Sequence, residues 1–197
     1  MLETRGWHSR GYLPHYDDGA SIQSITYRLS DSLPADVLAK LEEQALGDEK
    51  RRAEIERYLD AGHGCCILRQ PDCAEAVVEN WRHFDETRYC LHAWVVMPNH
   101  VHVLIAPLPG AAIGEIVQSW KSYTAKKILS HCVTDTFPQN HVWQPDCYDR
   151  FMRNERHYTA TVDYIHQNPV KAGLVARAED WPWSSVCDWE RGRPARF

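Results

Sequence analysis

Two histidines stand one residue apart in Met97 to Ala106, "MPNHVHVLIA", and their types and spacing could do chemistry. Strand side chains alternate between faces, so His100 and His102 point the same way, with Leu104 and Ala106 further along that face. Val101, Val103 and Ile105 make the opposite face and read as plain core. Neutral imidazole is a common metal ligand, and two of them side by side invite a divalent cation. The competing reading is a pair of solvated or core-bonded histidines at a strand end.

A second set of polar groups lies in Asn154 to Asn168, "NERHYTATVDYIHQN". Asn154 is a good N-cap, Glu155 suits the first turn, and Pro169 predicts the end of the helix at Asn168. Tyr158, Thr161, Val162 and Ile165 follow the i, i+3, i+4, i+7 spacing of an apolar stripe. Tyr164 is off that stripe, roughly 110° from its centre, on a flank with His157 and Asn168. Tyr158 is thus assigned to the core, while Tyr164 is a phenol turned toward a neighbour or solvent. Asn168, one turn on, falls on the same side. A hydroxyl nucleophile beside a His-His-Asn set holding an oxygen-loving divalent metal could attack a phosphodiester. The metal matters because a phenol of ordinary pKa, about 10, is almost wholly neutral at pH 7. The product, a phosphotyrosine, stores the bond energy and allows rejoining without ATP.

The elements that must position these groups follow from periodicity. Ser21 to Ser30 alternates as a strand, and Pro34 to Asp60 is helical, broken near Gly47-Asp48 and stopped by Gly62. A short strand, "CCILRQ" (Cys65 to Gln70), a helix from Asp72 to about Phe84 and a strand from Arg88 to Met97 come next. The Pro98-Asn99 turn makes the last strand and the His-Val-His strand an antiparallel hairpin. Ile113, Ile116, Val117, Trp120, Thr124 and Ile128 then form one stripe of an amphipathic helix. Irregular structure is expected from His131 to Arg153, before the final helix. The order predicts an α+β, ferredoxin-like sandwich: an antiparallel sheet with helices packed on one face, and a C-terminal helix carrying the tyrosine.

The 197 residues read as a single domain, with a core of about 20–175 and a C-terminal extension over 176–197. No apolar run reaches the length of a membrane span and no signal-peptide core opens the chain, so a cytoplasmic protein without a membrane partner is expected. Seven cysteines, two of them adjacent and none in a CxxC, read as reduced thiols rather than a zinc site. A formal charge of −5 argues against coating nucleic acid by bulk charge. From Gln118 to Lys171, however, seven basic residues face five acidic ones, which leaves room for a local basic surface.

Four segments occur in order: "PNHVHVLIAP", "VWQPDCYDRFMRN" (Val142 to Asn154), "DYIHQNPVKAGLV" (Asp163 to Val175) and "DWPWSS" (Asp180 to Ser185). In these the chain resembles the REP-associated tyrosine transposases, part of the wider group of HUH single-strand transposases, over roughly Gly11 to Ser185. The resemblance implies a ferredoxin-like core that nicks and joins single-stranded or hairpin DNA with Mg²⁺ or Mn²⁺. By position, His100 and His102 match the metal-binding histidines. Tyr164 matches the nucleophile that becomes linked to a DNA 5′ phosphate, and Asn168 the polar residue completing the metal site. Lys121, Arg150, Arg153 and Lys171 are candidates for phosphate contacts, and Trp143 for base stacking; Trp120, on the core stripe, is assigned to the core. The resemblance leaves open a monomer acting in cis or a homodimer acting in trans. Two rival readings stand beside it. One is a domesticated, non-catalytic nucleic-acid-binding protein on the same sheet. The other is a zinc hydrolase in which His157 or His92 joins the histidine pair.

Overall fold

The computed structural model describes residues 6–9, 14–34, 37, 48–131, 137 and 141–190. A hairpin of β1 (Gly6–Ser9) and β2 (Pro14–Asp17) precedes β3 (Gln23–Arg28). Next come α1 (Asp48–Asp60), α2 (Pro71–His83), the hairpin strands β4 (Tyr89–Val96) and β5 (His100–Pro107), and α3 (Ile113–Leu129). The chain continues through β6 (Tyr148–Phe151), α4 (Glu155–Lys171) and the short α5 (Val186–Glu190). The main sheet runs β4-β5-β3-β6 with every neighbouring pair antiparallel. Strands β3, β4, β5 and β6, with α2 and α3 as crossovers, form the split β-α-β arrangement of ferredoxin-like folds.

The alternation along β5 sorts the core into two layers. Val101, Val103 and Ile105 join Ile25, Tyr27, Trp81 and Trp120 beneath α2 and α3. Leu104, with Ala93 and Val95 of β4, packs under Tyr158, Val162 and Ile165 of α4 on the other face. The expected stripes of α3 and α4 therefore bury as their spacing requires, and the tyrosine helix lies across the face that carries the histidines. Strand β4 is at the sheet edge, and "DWPWSS" closes it. The Val96 N–H donates to the Trp183 carbonyl (2.8 Å), the Ser185 N–H to the Trp94 carbonyl (3.0 Å), and the Trp94 N–H to Ser185 Oγ (2.9 Å). Covering an edge in this way removes a row of unpaired backbone groups.

Three local expectations are corrected. "CCILRQ" is not a strand: Cys66 adopts a left-handed conformation (φ 50°) and Ile67–Arg69 form a 3-10 turn that leads into Pro71 at the start of α2. The left-handed Cys66 breaks the extended path, and Ile67 and Leu68 are buried from within the turn. The stretch His131 to Arg153 is not wholly irregular, because Tyr148–Phe151 pairs with β3 as the second edge strand. Finally, α4 does not stop at Asn168. Pro169 sits in its last turn, where a missing N–H loses a single bond. Gly173 (φ 68°) then reverses the chain so that the Leu174 N–H reaches the Pro169 carbonyl (2.9 Å) and the Gly173 N–H reaches that of Val170 (3.0 Å). Gly62 (φ 73°) does follow the end of α1, whose start at Asp48 matches the expected break; the helix expected N-terminal to it falls outside the described residues, apart from Val37. Among the described residues the six cysteines are free thiols, and no helix is long and apolar enough to cross a membrane.

Candidate active site

His100 and His102 are almost fully buried where β5 lies between β4 and β3. Each ring is oriented by a partner that the motif reading did not single out. The Asn99 amide nitrogen donates to the His63 carbonyl (2.9 Å), which turns Asn99 Oδ1 toward His100 Nδ1 at 2.8 Å. His100 Nδ1 is thus the protonated nitrogen, and the lone pair of the neutral ring is on Nε2. His102 Nδ1 lies 2.7 Å from Thr26 Oγ1, its cross-strand neighbour on β3. Such contacts fix ring orientation and basicity in metal-binding histidines. Asn99 could have been suspected from its place in the turn before His100, whereas Thr26 depends on a strand register that no local spacing reveals.

The two Nε2 atoms stand 3.1 Å apart. Opposed lone pairs at that distance repel unless a proton or a cation lies between them. At bond lengths of about 2.1 Å, adjacent ligands of an octahedral cation are separated by about 3 Å, so the pair has the bite of two such ligands. Asn168, 1% exposed, brings its amide to the same place, with Nδ2 3.4 Å from His102 Nε2. Its Oδ1 is buried and, among the described residues, has no hydrogen-bond partner. A half-turn of the amide exchanges the two atoms and offers that oxygen beside the imidazoles. A buried acceptor left without a donor is costly, and a hard divalent cation held by two nitrogens and this oxygen would satisfy it.

Tyr164 completes the group. Its half-buried ring packs edge-on against His102, with centroids 5.3 Å apart and planes at 79°, and the Lys171 ammonium lies 4.6 Å from its centre. Lys171 also draws on the Asp60 carboxyl of α1, which burial, with Glu56 adding, raises to about 6 against the pull of that ammonium. Tyr158 is core, as its stripe position implies, and its hydroxyl lies 3.0 Å from His92 Nδ1. His157 turns its Nδ1 to the Arg153 N–H (3.3 Å). Neither His92 nor His157 joins the histidine pair in these contacts, and among the described residues no three His, Cys, Asp or Glu side chains cluster as a metal site.

The expected nucleic-acid contacts divide. Lys121 is 7% exposed and donates to the carbonyls of Gln144 (2.9 Å), Pro145 (3.1 Å) and Asp146 (2.9 Å), so all three ammonium protons serve to hold the loop before β6. Trp143, 6% exposed, bridges to Leu29, packs on Tyr27 at 4.8 Å and donates from Nε1 to Thr124 Oγ1 (2.9 Å). Both are parts of the core, not of a surface for DNA. Lys171 and Arg153 are exposed, and Arg150 is half-buried on β6.

Burial holds His100 down to about 3, against about 6.5 for an unperturbed imidazole. The unfolded chain thus takes up a proton that the folded chain refuses. The corresponding stability is fully present above pH 6.5 and is lost as the pH falls toward 3. At pH 5 the expected loss from His100 alone is about 2 kcal/mol. His166, held down to about 4 by burial, acts in the same direction. Urea midpoints measured at neutral pH and near pH 5 check this, and a midpoint unchanged between them would contradict a neutral, buried His100.

Residues 72–168, the stretch holding both histidines, Tyr164 and Asn168, match the family described as "Transposase IS200 like". Over that segment, just under half of the chain, the sequence is similar to this family. Within it, the chain is similar to the REP-associated tyrosine transposase of Escherichia coli (strain K12), with 36% identity over 95 residues, 48% of this chain and 53% of the relative. The chain spans about half the length of the curated relatives it matches. Its fold is similar to that of a REP-associated tyrosine transposase bound to a REP hairpin (TM-score 0.55, 24% identity, 95% of this chain and 89% of the other).

Proposed function

We propose that this chain nicks and joins single-stranded DNA, at hairpin-forming sequence, through a covalent 5′-phosphotyrosine on Tyr164. The observation that carries the reading is the packing of Tyr164 on His102 with Asn168 one helical turn away, all within one chain. Tyr164 Oη attacks phosphorus and loses its proton as the bond from phosphorus to the 3′ oxygen breaks, and that oxygen leaves as a hydroxyl. Attack by a 3′ hydroxyl on the phosphotyrosine reverses the step and re-forms the diester. His100 Nε2, His102 Nε2 and Asn168 Oδ1 would hold Mg²⁺ or Mn²⁺, which when bound would supply Lewis-acid polarisation of the scissile phosphate. Asn99 and Thr26 keep the imidazoles in the ligating tautomer, and Lys171 stacks on the tyrosine ring. The meeting of Tyr164 with His102 and Asn168 in one chain supports a reaction that runs in cis.

Covalency is the test. Wild-type protein incubated with hairpin-bearing single-stranded DNA and Mn²⁺ is expected to give an adduct that survives denaturation. Tyr164→Phe removes it while leaving the melting temperature within a few degrees of wild type. An equal adduct yield from Tyr164→Phe would overturn the assignment of the nucleophile. Binding without any adduct from wild type would favour the non-catalytic nucleic-acid-binding protein.

A further inference from the structure

We infer that the half of the sheet beside the site, on β3 and β6, is a track for the single strand, anchored on Arg28 and Arg150. This rests on the proposed action on single-stranded DNA and adds where that strand runs. The helix α4 packs chiefly on β4 and β5. The register puts Arg28 opposite His100, Thr26 opposite both His102 and Tyr148, and Ser24 opposite Arg150. Residues directly opposite each other in antiparallel strands share a face, so Arg28, Tyr148 and Arg150 lie on the face of the histidine pair. The Thr26 to His102 hydrogen bond is the side-chain evidence for that face.

Arg28 is half-buried, yet among the described residues its guanidinium has one hydrogen bond, from Nη1 to Ser32 Oγ (3.1 Å), and no ion pair. A guanidinium carries five donors, and one taken from water without a carboxylate is a costly arrangement unless an anion arrives. In agreement, burial lowers its pKa to about 10. Arg150, also half-buried, has no ion pair among the described residues either. Guanidinium groups match the oxygens of a phosphodiester with paired hydrogen bonds. From Arg28 to Ser24, the partner of Arg150, the track runs four residue steps along β3, about 13 Å, with room for more than one backbone phosphate. Its Arg28 end adjoins His100, so a phosphate held there leads the strand to Tyr164. The Tyr148 ring, between the two arginines on the same face, is placed to stack on a base.

The test is fluorescence anisotropy with fluorescein-labelled oligo(dT) and the full chain, in a series of NaCl concentrations without divalent ions, so that binding is read apart from cleavage. Arg28→Met and Arg150→Met are each expected to weaken binding by roughly tenfold. Each also lowers the slope of log Kd against log salt by about 0.7. The double variant combines both losses, because the two sites are too far apart to couple. Arg28→Met keeps or raises the melting temperature, since it removes a half-buried charge that has no ion pair among the described residues; a merely structural arginine would lower it. Wild-type affinity and salt slope in both variants, a fall in melting temperature for Arg28→Met alone, or no binding of oligo(dT) by wild type would each overturn the track. If arginine-dependent binding holds but no covalent adduct forms, the nicking reaction fails and the track stands. If adducts form and the arginine variants bind as wild type, the track alone fails.

Discussion

Replacing His102 by alanine is expected to cut Mn²⁺-dependent adduct formation on the order of a thousandfold. The reason is the position of this ring at the centre of the site. Its Nε2 faces His100 at 3.1 Å and Asn168 at 3.4 Å, its Nδ1 meets Thr26 at 2.7 Å, and its edge supports the Tyr164 ring. On the proposed mechanism alanine therefore removes a metal ligand and the surface against which Tyr164 packs. The fold should survive, because the apolar residues beneath α4 are untouched and the lost aromatic contact is worth about 1 kcal/mol. Two measurements separate these effects: covalent adduct on a denaturing gel, and Mn²⁺ affinity by electron paramagnetic resonance. His102→Ala should lose both, whereas Tyr164→Phe should lose the adduct and keep the metal. Adduct yields for His102→Ala within tenfold of wild type would remove the histidine pair from the mechanism.

What the sequence made legible was whatever a short spacing encodes. The His-Val-His alternation and the stripes of α3 and α4 put each residue on the face where it is found, and the off-stripe angle of Tyr164 set it apart from the buried Tyr158. What stayed hidden depends on contacts between distant segments. Four residues, Tyr148 to Phe151, carry no pattern of their own and become a strand only because β3 has a free edge. Lys121 and Trp143 looked like surface groups by residue type. Lys121 is drawn inward by three carbonyls of a loop more than 20 residues away, and Trp143 by the bridge to Leu29. Pro169 misled for the converse reason. The local rule on the residue before proline is sound, but the buried positions of His166, Asn168 and Pro169 carry the helix one turn further. That extra turn brings Lys171 over Tyr164, so the departure from the local rule helps to build the site.

Trp120→Ala is expected to destabilise the chain by about 4 kcal/mol, the range for a large aromatic removed from a packed core. Trp120 is fully buried and lies among three rings, with centroids 5.2 Å from Tyr89, 6.2 Å from Trp81 and 6.4 Å from Tyr27. Its Nε1 donates to Tyr89 Oη (2.9 Å), which itself donates to the Trp81 carbonyl (2.8 Å), so truncation leaves both a cavity and a phenol oxygen without its donor. Against a typical total of 5–15 kcal/mol, such a loss consumes much of the margin. It should also reach the site. Tyr27, which Trp120 supports, is flanked on β3 by Thr26 and Arg28, and Val101 and Val103 of β5 have the same cluster behind them. Loosening that layer frees the strands that hold the histidines 3.1 Å apart. Chemical denaturation read by far-ultraviolet circular dichroism measures the loss, and Trp120→Phe, which keeps a ring but not the donor, should fall between. If Trp120→Ala were instead as stable as wild type and lost only its affinity for single-stranded DNA, Trp120 would be a stacking platform and not the keystone of this layer.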